Sequence, residues 1–388
     1  MRKKICVVVN SRANYGRIKS ALQAIQKHPR LRLQLVLGAS ALLERFGDIR
    51  GILREDGFRP DAEIHTIVEG ENPTTMAKST GLAILELATC FENLRPDVVV
   101  TVADRFETLA TAVAASYMNI VLAHTQGGEC TGSIDESVRH AITKLAHLHF
   151  PATHKAKQNL LRMGEKKETV FLVGCPAMDL LPKSVRHPDK EFFSKYKGVG
   201  CPLDPKAPYI VVLQHPVTTE FGDGPRQIRE TLAAVTTLAV QTIWLWPNVD
   251  AGSDQISKEL RKHRELNPGI PLHFYKNFEP EDYYRLIKGC KCLVGNSSSA
   301  LREGAHLGVP AVNIGTRQQN REHGDNIIST GYCRHEILRA IQRQIRHGPY
   351  RPRKIFGSGS AGKSIADILA RSKTAIQKRL SYGGNLDE

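Results

Sequence analysis

Acidic residues stand directly after two apolar runs in the first half of the sequence, where they could transfer protons. Asp104 and Arg105 follow the run DVVVTVA, and Glu129 and Asp135 lie in the polar stretch that follows NIVLAH. A carboxylate within reach of a substrate can serve as a general acid or base. We therefore expect this half of the chain to carry out acid–base chemistry on a neutral group.

The second half instead places hydroxyls, amides and cations after its apolar runs. The stretch VGNSSSALREG leads from an apolar run into a helix that we expect to begin at Ser298, and His215 and Arg317 follow other runs. A helix N-terminus offers unpaired N–H groups and a positive dipole end, which stabilise an anion by roughly 0.3–1 kcal/mol. The serines add further donors. A diphosphate would fit this set of groups.

Each of these residues also has a purely structural interpretation. Serines before a helix are often simple N-caps, Glu303 could complete a capping box, and Asp104 and Asp135 could cap helices. Arg139 could pair with Glu136 on a surface. Polar groups nevertheless follow nearly every predicted strand on both sides of one inferred cleft, and this repetition favours a functional site.

The histidines raise the possibility of a metal site, which we do not expect. His140 and His147 share one face of a predicted helix, but Lys144 lies between them on that face. A lysine there would repel a metal cation. None of the eight cysteines forms a CxxC pair of the kind that binds zinc. We expect neither a metal nor another cofactor.

The elements that must position these residues alternate regularly along the chain. KICVVV, LQLVLG, DVVVTVA, NIVLAH, LHF and TVFLVG are interpreted as buried strands, separated by helix-like segments such as Thr74–Leu94. Continuous apolar runs are typical of parallel strands that are covered on both faces. Their alternation with helices predicts βαβ units, and ligands bind at the carboxyl edge of such sheets.

A stretch rich in proline and charge, from Pro176 to Pro208, interrupts the alternation and is interpreted as a connection. The alternation resumes with YIVVLQ, TIWLWP, LHFYK, KCLVG and PAVNIG. We therefore predict an α/β protein of two Rossmann-like, doubly wound domains that face a cleft. The first would cover residues 1–175 and the second residues 176–362.

The composition narrows the class of protein. A chain of 388 residues is long enough for two domains, and 41% hydrophobic residues are typical of a globular protein. The net charge of +15 favours phosphorylated partners, but the basic clusters RKHR and YRPRK lack interleaved aromatic residues, so we do not expect nucleic acid as the partner. No apolar stretch is long enough to cross a membrane. The first apolar run, Ile5–Val9, suits a strand better than a signal peptide, so we expect a cytoplasmic protein.

Five segments together resemble one protein family. RHAITKLAH, QHPVTT, PNVDAGS, GNSSS followed by LRE, and GTRQ are similar to motifs of the hydrolysing UDP-N-acetylglucosamine 2-epimerases, which include the epimerase part of the bifunctional sialic-acid enzyme. The resemblance extends in order over nearly the whole chain. It implies a fold like that of GT-B glycosyltransferases, UDP in the cleft, a homodimer or homotetramer, and a tail helix (363–388) that crosses back to complete the first domain.

The resemblance also implies roles for individual residues. Contacts with UDP would be made by Arg12, His215, Asn248, Ser297, Ser298, Arg317 and, on the ribose, Glu303. Acid–base catalysis would be performed by Asp104 and Asp135 with the help of Arg105 and Arg139. The implied reaction releases UDP through a glycal intermediate and then adds water to give the free 2-epimer, for the synthesis of nonulosonic (sialic or legionaminic) acids.

Three positions depart from the family pattern on the sugar side. Gln126 in HTQGGE replaces a carboxylate that is thought to act in catalysis, Ala41 replaces a frequent histidine, and Asn14 replaces an acidic residue. These changes suggest a different sugar, such as UDP-N,N'-diacetylbacillosamine. Glu129 is then the candidate to take over part of the acid–base role of position 126.

Several other functions remain open at this point. A non-hydrolysing epimerase would return UDP to carbon 1, although SIDESVRHAITKLAH follows the hydrolysing pattern. A GT-B glycosyltransferase would share the fold and the UDP site, but Asp104 and Asp135 would then have no clear purpose. A nucleic-acid-binding protein would use the net charge of +15 and would show strong salt dependence of binding.

Overall fold

The computed structural model describes residues 2–44, 49–181, 188–247, 250–379 and 381. The first sheet consists of six strands: β1 (Lys3–Val9), β2 (Leu31–Gly38), β3 (Ala62–Ile64), β4 (Val98–Val102), β5 (Val121–Thr125) and β6 (Leu148–Phe150). All neighbouring strands are parallel, in the order β3-β2-β1-β4-β5-β6. This is the Rossmann order, which brings the carboxyl ends of β1 and β4 side by side.

Strand β1 shows why these apolar runs become central strands. Ile5, Val7 and Val9 pack into the core on one face of the sheet, while Cys6 and Val8 pack into the core on the other face. A strand buried on both faces has no polar alternation. The helices of this half are α1 (Arg12–Gly16), α2 (Lys19–Lys27), α3 (Arg50–Glu55), α4 (Pro73–Leu94), α5 (Phe106–Tyr117), α6 (Asp135–Leu145) and α7 (His154–Arg162).

The second sheet has seven strands: β7 (Gly198–Gly200), β8 (Tyr209–Leu213), β9 (Gln241–Leu245), β10 (Leu272–Tyr275), β11 (Leu293–Gly295), β12 (Ala311–Ile314) and β13 (Ile327–Thr330). Their order is β13-β12-β11-β8-β9-β10-β7, with β7 alone antiparallel to its neighbour. The accompanying helices are α8 (Lys190–Ser194), α9 (Gly224–Leu238), α10 (Ser253–Leu266), α11 (Pro280–Gly289), α12 (Ser298–Leu301), α13 (Glu303–Leu307), α14 (Arg334–His347) and α15 (Ala361–Arg371). The predicted pair of doubly wound sheets is thereby confirmed.

Two local predictions were wrong. TVFLVG does not form a strand, since its one β-bridge joins Val170 to His149 of the three-residue strand β6. The interval from Pro176 to Pro208 is also more than a connection, since it contains α8 and the edge strand β7. The limits of the two domains, 1–175 and 176–362, stay a prediction.

Helix α15 returns to the first sheet, where Ile365 and Leu369 are fully buried in the same core as β1. The predicted tail helix ends at Arg371, and residues 372–379 continue as a segment without helix that we call the C-terminal strap. Its Lys378 Nζ lies 2.6 Å from Glu165 Oε2 and donates to the carbonyl of Ala146 at 2.6 Å. In the part of the chain that the structure describes, no helix has the length and apolarity needed to cross a membrane.

Candidate active site

A cavity of about 240 Å³ lies between the carboxyl ends of the two sheets. The loops after β1, β4 and β5 form one wall, and those after β8, β11 and β12 form the opposite wall. Most of the residues that were predicted as functional line this cavity: Arg12, Asp104, Arg105, Asp135, His215, Ser297, Ser298, Glu303 and Arg317. The two halves of the chain therefore contribute to a single site.

The serine-rich turn after β11 is built to bring its backbone close to β8. Gly295 has φ of 125°, and a Cβ there would lie 2.2 Å from the carbonyl oxygen of Leu213. Asn296 then fixes the turn, because its side chain accepts from the backbone N–H of His215 at 2.7 Å and donates to the His215 carbonyl at 2.8 Å. Ser297 is the N-cap of α12 and accepts from Ser299 N–H at 3.3 Å. The predicted helix start at Ser298 is confirmed.

Glu303 does not act as a capping-box partner of these serines. The backbone breaks at Arg302 (φ −94°, ψ −73°), so that α12 has four residues and Glu303 begins α13. Its carboxyl group lines the cavity, is 7% exposed and has one oxygen, Oε2, that lacks a hydrogen-bond partner among the described residues. Burial raises the pKa of Glu303 above its ordinary value. The carboxyl group is thus available to a ligand.

Cations gather around the serine turn. Arg17, which the sequence reasoning missed, donates a hydrogen bond from the first wall to Ser298 Oγ on the second. Arg321 was also missed and lines the same cavity. Burial and the nearby charge of Arg317 lower the pKa of His215 to about 3, so its imidazole is neutral at pH 7. These groups would suit an anion with many oxygen atoms.

The two predicted acid–base residues have different surroundings. Asp104 is ion-paired with Arg139, whose side chain is 1% exposed. Asp135 lies 3.9 Å from Arg317 Nη2, at the limit of an ion pair. Burial raises the pKa of Asp135, and Arg317 offsets only part of that shift. Asp135 therefore retains a proton more readily than an ordinary aspartate, whereas Asp104 has an arginine as its direct ion-pair partner.

Arg105 is held between two carboxylates. Its Nη1 lies 2.9 Å from Asp250 Oδ1, across the cleft, and its Nη2 lies 3.2 Å from Oε1 of the buried Glu107. Asp250 was not among the predicted site residues. A single sequence gives no signal for such a contact, because its partners are 145 positions apart in the chain.

Three predicted catalytic residues lie behind the cavity wall and not on it. Gln126 accepts from Arg302 Nη1 at 2.7 Å, and Glu129 lies 2.5 Å from Arg302 Nη2 and 2.6 Å from Arg321 Nη2. Burial alone would raise the pKa of Glu129, but the two arginines outweigh burial and lower that pKa. The geometry thus does not bring Glu129 to the position of a substitute base. Arg139 instead forms an ion pair with Asp104 from behind the cavity wall.

The remaining departures on the sugar side occupy different environments. Asn14 lines the cavity and donates from Nδ2 to the carbonyl of Val102 at 3.1 Å. Ala41 is fully buried in the core of the first sheet. Asn248, predicted to contact UDP, lies outside the described residues.

Comparisons with known proteins place this site in a family context. Residues 23–370 match the family model for UDP-N-acetylglucosamine 2-epimerase. A "UDP-N,N'-diacetylbacillosamine 2-epimerase (hydrolyzing)" from Legionella pneumophila is 30% identical over 95% of this chain and 96% of its own. A UDP-N-acetylglucosamine 2-epimerase from Neisseria meningitidis is 30% identical over 97% and 98%. The "Polysialic acid biosynthesis protein P7" of Escherichia coli is 31% identical over 87% and 85%.

Solved structures agree with this fold. A UDP-GlcNAc 2-epimerase from Neisseria meningitidis, bound to UDP-GlcNAc, has a TM-score of 0.77 at 16% identity, over 95% of this chain and 100% of that one. The enzyme from Methanocaldococcus jannaschii, in complex with UDP-GlcNAc and UDP, has a TM-score of 0.76 at 17% identity over the same shares. With the cavity and the family match taken together, the chain belongs to the UDP-N-acetylglucosamine 2-epimerase family.

Proposed function

We propose that the protein is a hydrolysing 2-epimerase that converts a UDP-2-acetamido sugar into UDP and the free 2-epimer, for nonulosonic acid synthesis. The observation that carries the proposal is one cavity with Asp104 and Asp135 on one wall and the serine turn with Arg317 on the other. Two relatives with the hydrolysing name, at 30% and 31% identity, support the same reaction. A glycosyltransferase would leave the two aspartates without a purpose.

The second wall would bind the nucleotide. Ser297, Ser298, Arg17 and Arg317 present hydroxyl and guanidinium donors that suit a diphosphate, and charge-assisted hydrogen bonds of this kind are the strong ones. Glu303 would accept from the ribose hydroxyls. These side chains would stabilise the departing diphosphate without a metal ion or another cofactor, because they offer several donors to the negative charge that develops there.

The first wall would perform the elimination and the hydration. Asp104, which is paired with Arg139, removes the proton from carbon 2; the electron pair forms the C1–C2 double bond, and the bond from carbon 1 to the diphosphate oxygen breaks. Water then adds to the glycal: its hydroxyl bonds to carbon 1, its other proton leaves to solvent, and a donor group protonates carbon 2. Exchange with solvent afterwards removes the proton from Asp104 and restores that of the donor. Asp135, whose pKa burial raises, is the group we assign as that proton donor. Arg105 anchors the loop that carries Asp104.

UDP-N-acetylglucosamine is the first substrate to test, with N-acetylmannosamine as the product. UDP-N,N'-diacetylbacillosamine is the second candidate, since Asn14, at the cavity wall, departs from the family pattern and the relative from Legionella pneumophila is named for that sugar. We also propose a cytoplasmic homodimer or homotetramer. All eight cysteines are free, which suits a reducing compartment.

A proton NMR time course in deuterated water tests the proposal. We expect free UDP together with N-acetylmannosamine that carries deuterium at carbon 2, because the donor exchanges its proton with solvent. UDP-N-acetylmannosamine in place of the free sugar would indicate a non-hydrolysing epimerase. If neither UDP-N-acetylglucosamine nor the diacetylated sugar releases UDP, the proposal is wrong.

A further inference from the structure

The turn that follows β9 joins the second half of the chain to the first at two points. Asp250 Oδ1 lies 2.9 Å from Arg105 Nη1. The N–H of Gly252 donates to the carbonyl of Glu71 at 2.9 Å, and the hydroxyl of Ser253 donates to the Glu71 carboxylate. Residues 250–253, which we call the β9 turn, thus contact the first half next to the acid–base residues.

Asp250 also lies beside the predicted diphosphate site. Its Oδ2 is 4.0 Å from Arg317 Nη2, and the same nitrogen is 3.9 Å from Asp135 Oδ2. This Oδ2 is buried and has no hydrogen-bond partner within the described residues. The carboxylate therefore stands between an arginine of the acid–base wall and an arginine of the nucleotide wall.

We propose that Asp250 is a positioning residue of the reaction: it holds Arg105 and Arg317 in place across the cleft and so aligns the acid–base wall with the departing diphosphate. The inference deepens the proposed function and rests on it. Asp250 does not line the cavity among the described residues, so it acts through the two arginines.

The chemistry explains why a carboxylate is needed there. Arg105 and Arg317 both approach Asp250, and the negative charge of its carboxylate offsets the repulsion between their like charges. Burial alone would raise the pKa of Asp250, but the arginines outweigh burial and lower that pKa, so the group is ionised. The same negative charge disfavours the diphosphate. Asp250 thus lowers the affinity for UDP while it improves the geometry for turnover.

The test compares turnover with UDP affinity in Asp250→Asn, which removes the charge and keeps the shape. We expect kcat for UDP release from the active sugar to fall about tenfold or more. The Kd for UDP, measured by calorimetry, should stay unchanged or become about threefold tighter, because the amide does not repel the diphosphate. Asp250→Glu, which restores the charge, should recover part of the lost kcat.

Asp254→Asn is the matched control, because Asp254 is exposed on the first turn of α10, and it should leave both quantities unchanged. A normal kcat in Asp250→Asn would overturn the inference. So would weaker UDP binding in parallel with the loss of kcat, since that pattern indicates a general structural role. If the wild-type protein releases no UDP from either sugar, the proposed function fails and this inference fails with it. If the wild type is active and the Asp250 variants are equally active, the inference alone fails.

Discussion

Asp104 and Asp135 are the same residue type in the same cavity, but they have different neighbours. Asp104 is paired with buried Arg139, while the Asp135 carboxylate lies 3.9 Å from Arg317 and burial raises its pKa. Different surroundings of two carboxyl groups are a common basis for assigning a base and an acid. Inversion at carbon 2 needs both, since one group takes the proton and another returns it.

Asp104→Asn should abolish turnover and leave UDP binding nearly unchanged. An amide cannot accept the carbon-bound proton, and general-base catalysis contributes about 10²–10⁴-fold in rate. UDP release measured by a coupled assay, together with the Kd for UDP, checks the prediction. Normal turnover by this variant would remove Asp104 from the mechanism, whereas Asp254→Asn should behave like the wild type.

The pH dependence of kcat/KM should report Asp135. Since Asp135 must be protonated to act as donor, activity should fall as the pH rises through its pKa, and this limb should lie above the ordinary aspartate value because burial raises the pKa. Arg317→Gln removes a positive charge that lowers this pKa. We therefore expect the limb to move to higher pH in that variant. A limb that does not move would argue against the assignment.

At this scale the sequence identified residues that directly follow strands and missed those whose partners lie across the cleft. Asp104, Ser298 and Arg317 are recognisable because parallel strands end at one edge of a sheet. Arg17 and Asp250 become functional candidates only when the two halves meet, and contacts between residues more than 140 positions apart leave no local pattern.

Among the elements, long apolar runs were predictable and short edge pieces were not. Strand β7 has the sequence GVG, with Val199 47% exposed, so it carries no hydrophobic signal. The break between α12 and α13 was also not predicted. It occurs at Arg302, whose side chain donates to Gln126 and forms an ion pair with Glu129 of the first half. Tertiary contacts thus override local helix propensity there.

The C-terminal strap should stabilise the first half of the protein through the ion pair between Lys378 and the buried carboxylate of Glu165. Burial opposes ionisation of Glu165, but His149 and Lys378 outweigh it and lower the pKa of Glu165 to about 2. Lys378→Met should therefore cost about 2 kcal/mol at pH 7, since hydrogen bonds to charged groups contribute about 1.5–3 kcal/mol. Thermal unfolding at a series of pH values measures the effect.

The sign of its pH dependence follows from the lowered pKa. The stabilisation is complete above the pKa of the unfolded glutamate, about 4.3, and is lost as the pH falls toward the folded value of about 2. The difference in the free energy of unfolding between wild type and Lys378→Met should become smaller over that range. Lys373→Met, at an exposed position of the same strap, is the control. If this difference in unfolding free energy does not change with pH, Lys378 does not stabilise the protein through Glu165.

For the whole molecule, the buried contact of Glu129 with Arg302 and Arg321 joins the two halves. Glu129→Gln leaves two buried arginines without their counter-charge, a loss that typically costs about 3–5 kcal/mol. We expect a Tm lower by about 4–6 °C for a chain of this length. Turnover of the remaining folded protein should fall less than tenfold, since Glu129 is behind the cavity wall.

The matched control is Glu55→Gln, at an exposed position on α3, which should leave the Tm unchanged. A hundredfold loss of kcat with an unchanged Tm would instead restore Glu129 as a group that transfers protons.

The overall architecture itself was predictable, because the alternation of strands and helices restarts after Pro208. The return of α15 was implied only by the family resemblance, since an amphipathic helix does not indicate which sheet it will cover.

That return has a consequence for synthesis on the ribosome. The core beside β1 includes Ile365 and Leu369, so it cannot be completed until more than 200 further residues have followed β6. At translation rates of 5–20 residues per second, the face of α2 that α15 covers stays exposed for roughly ten to forty seconds. The half of the protein that emerges first is therefore the last to finish folding, and its nascent form is a natural client for holding chaperones.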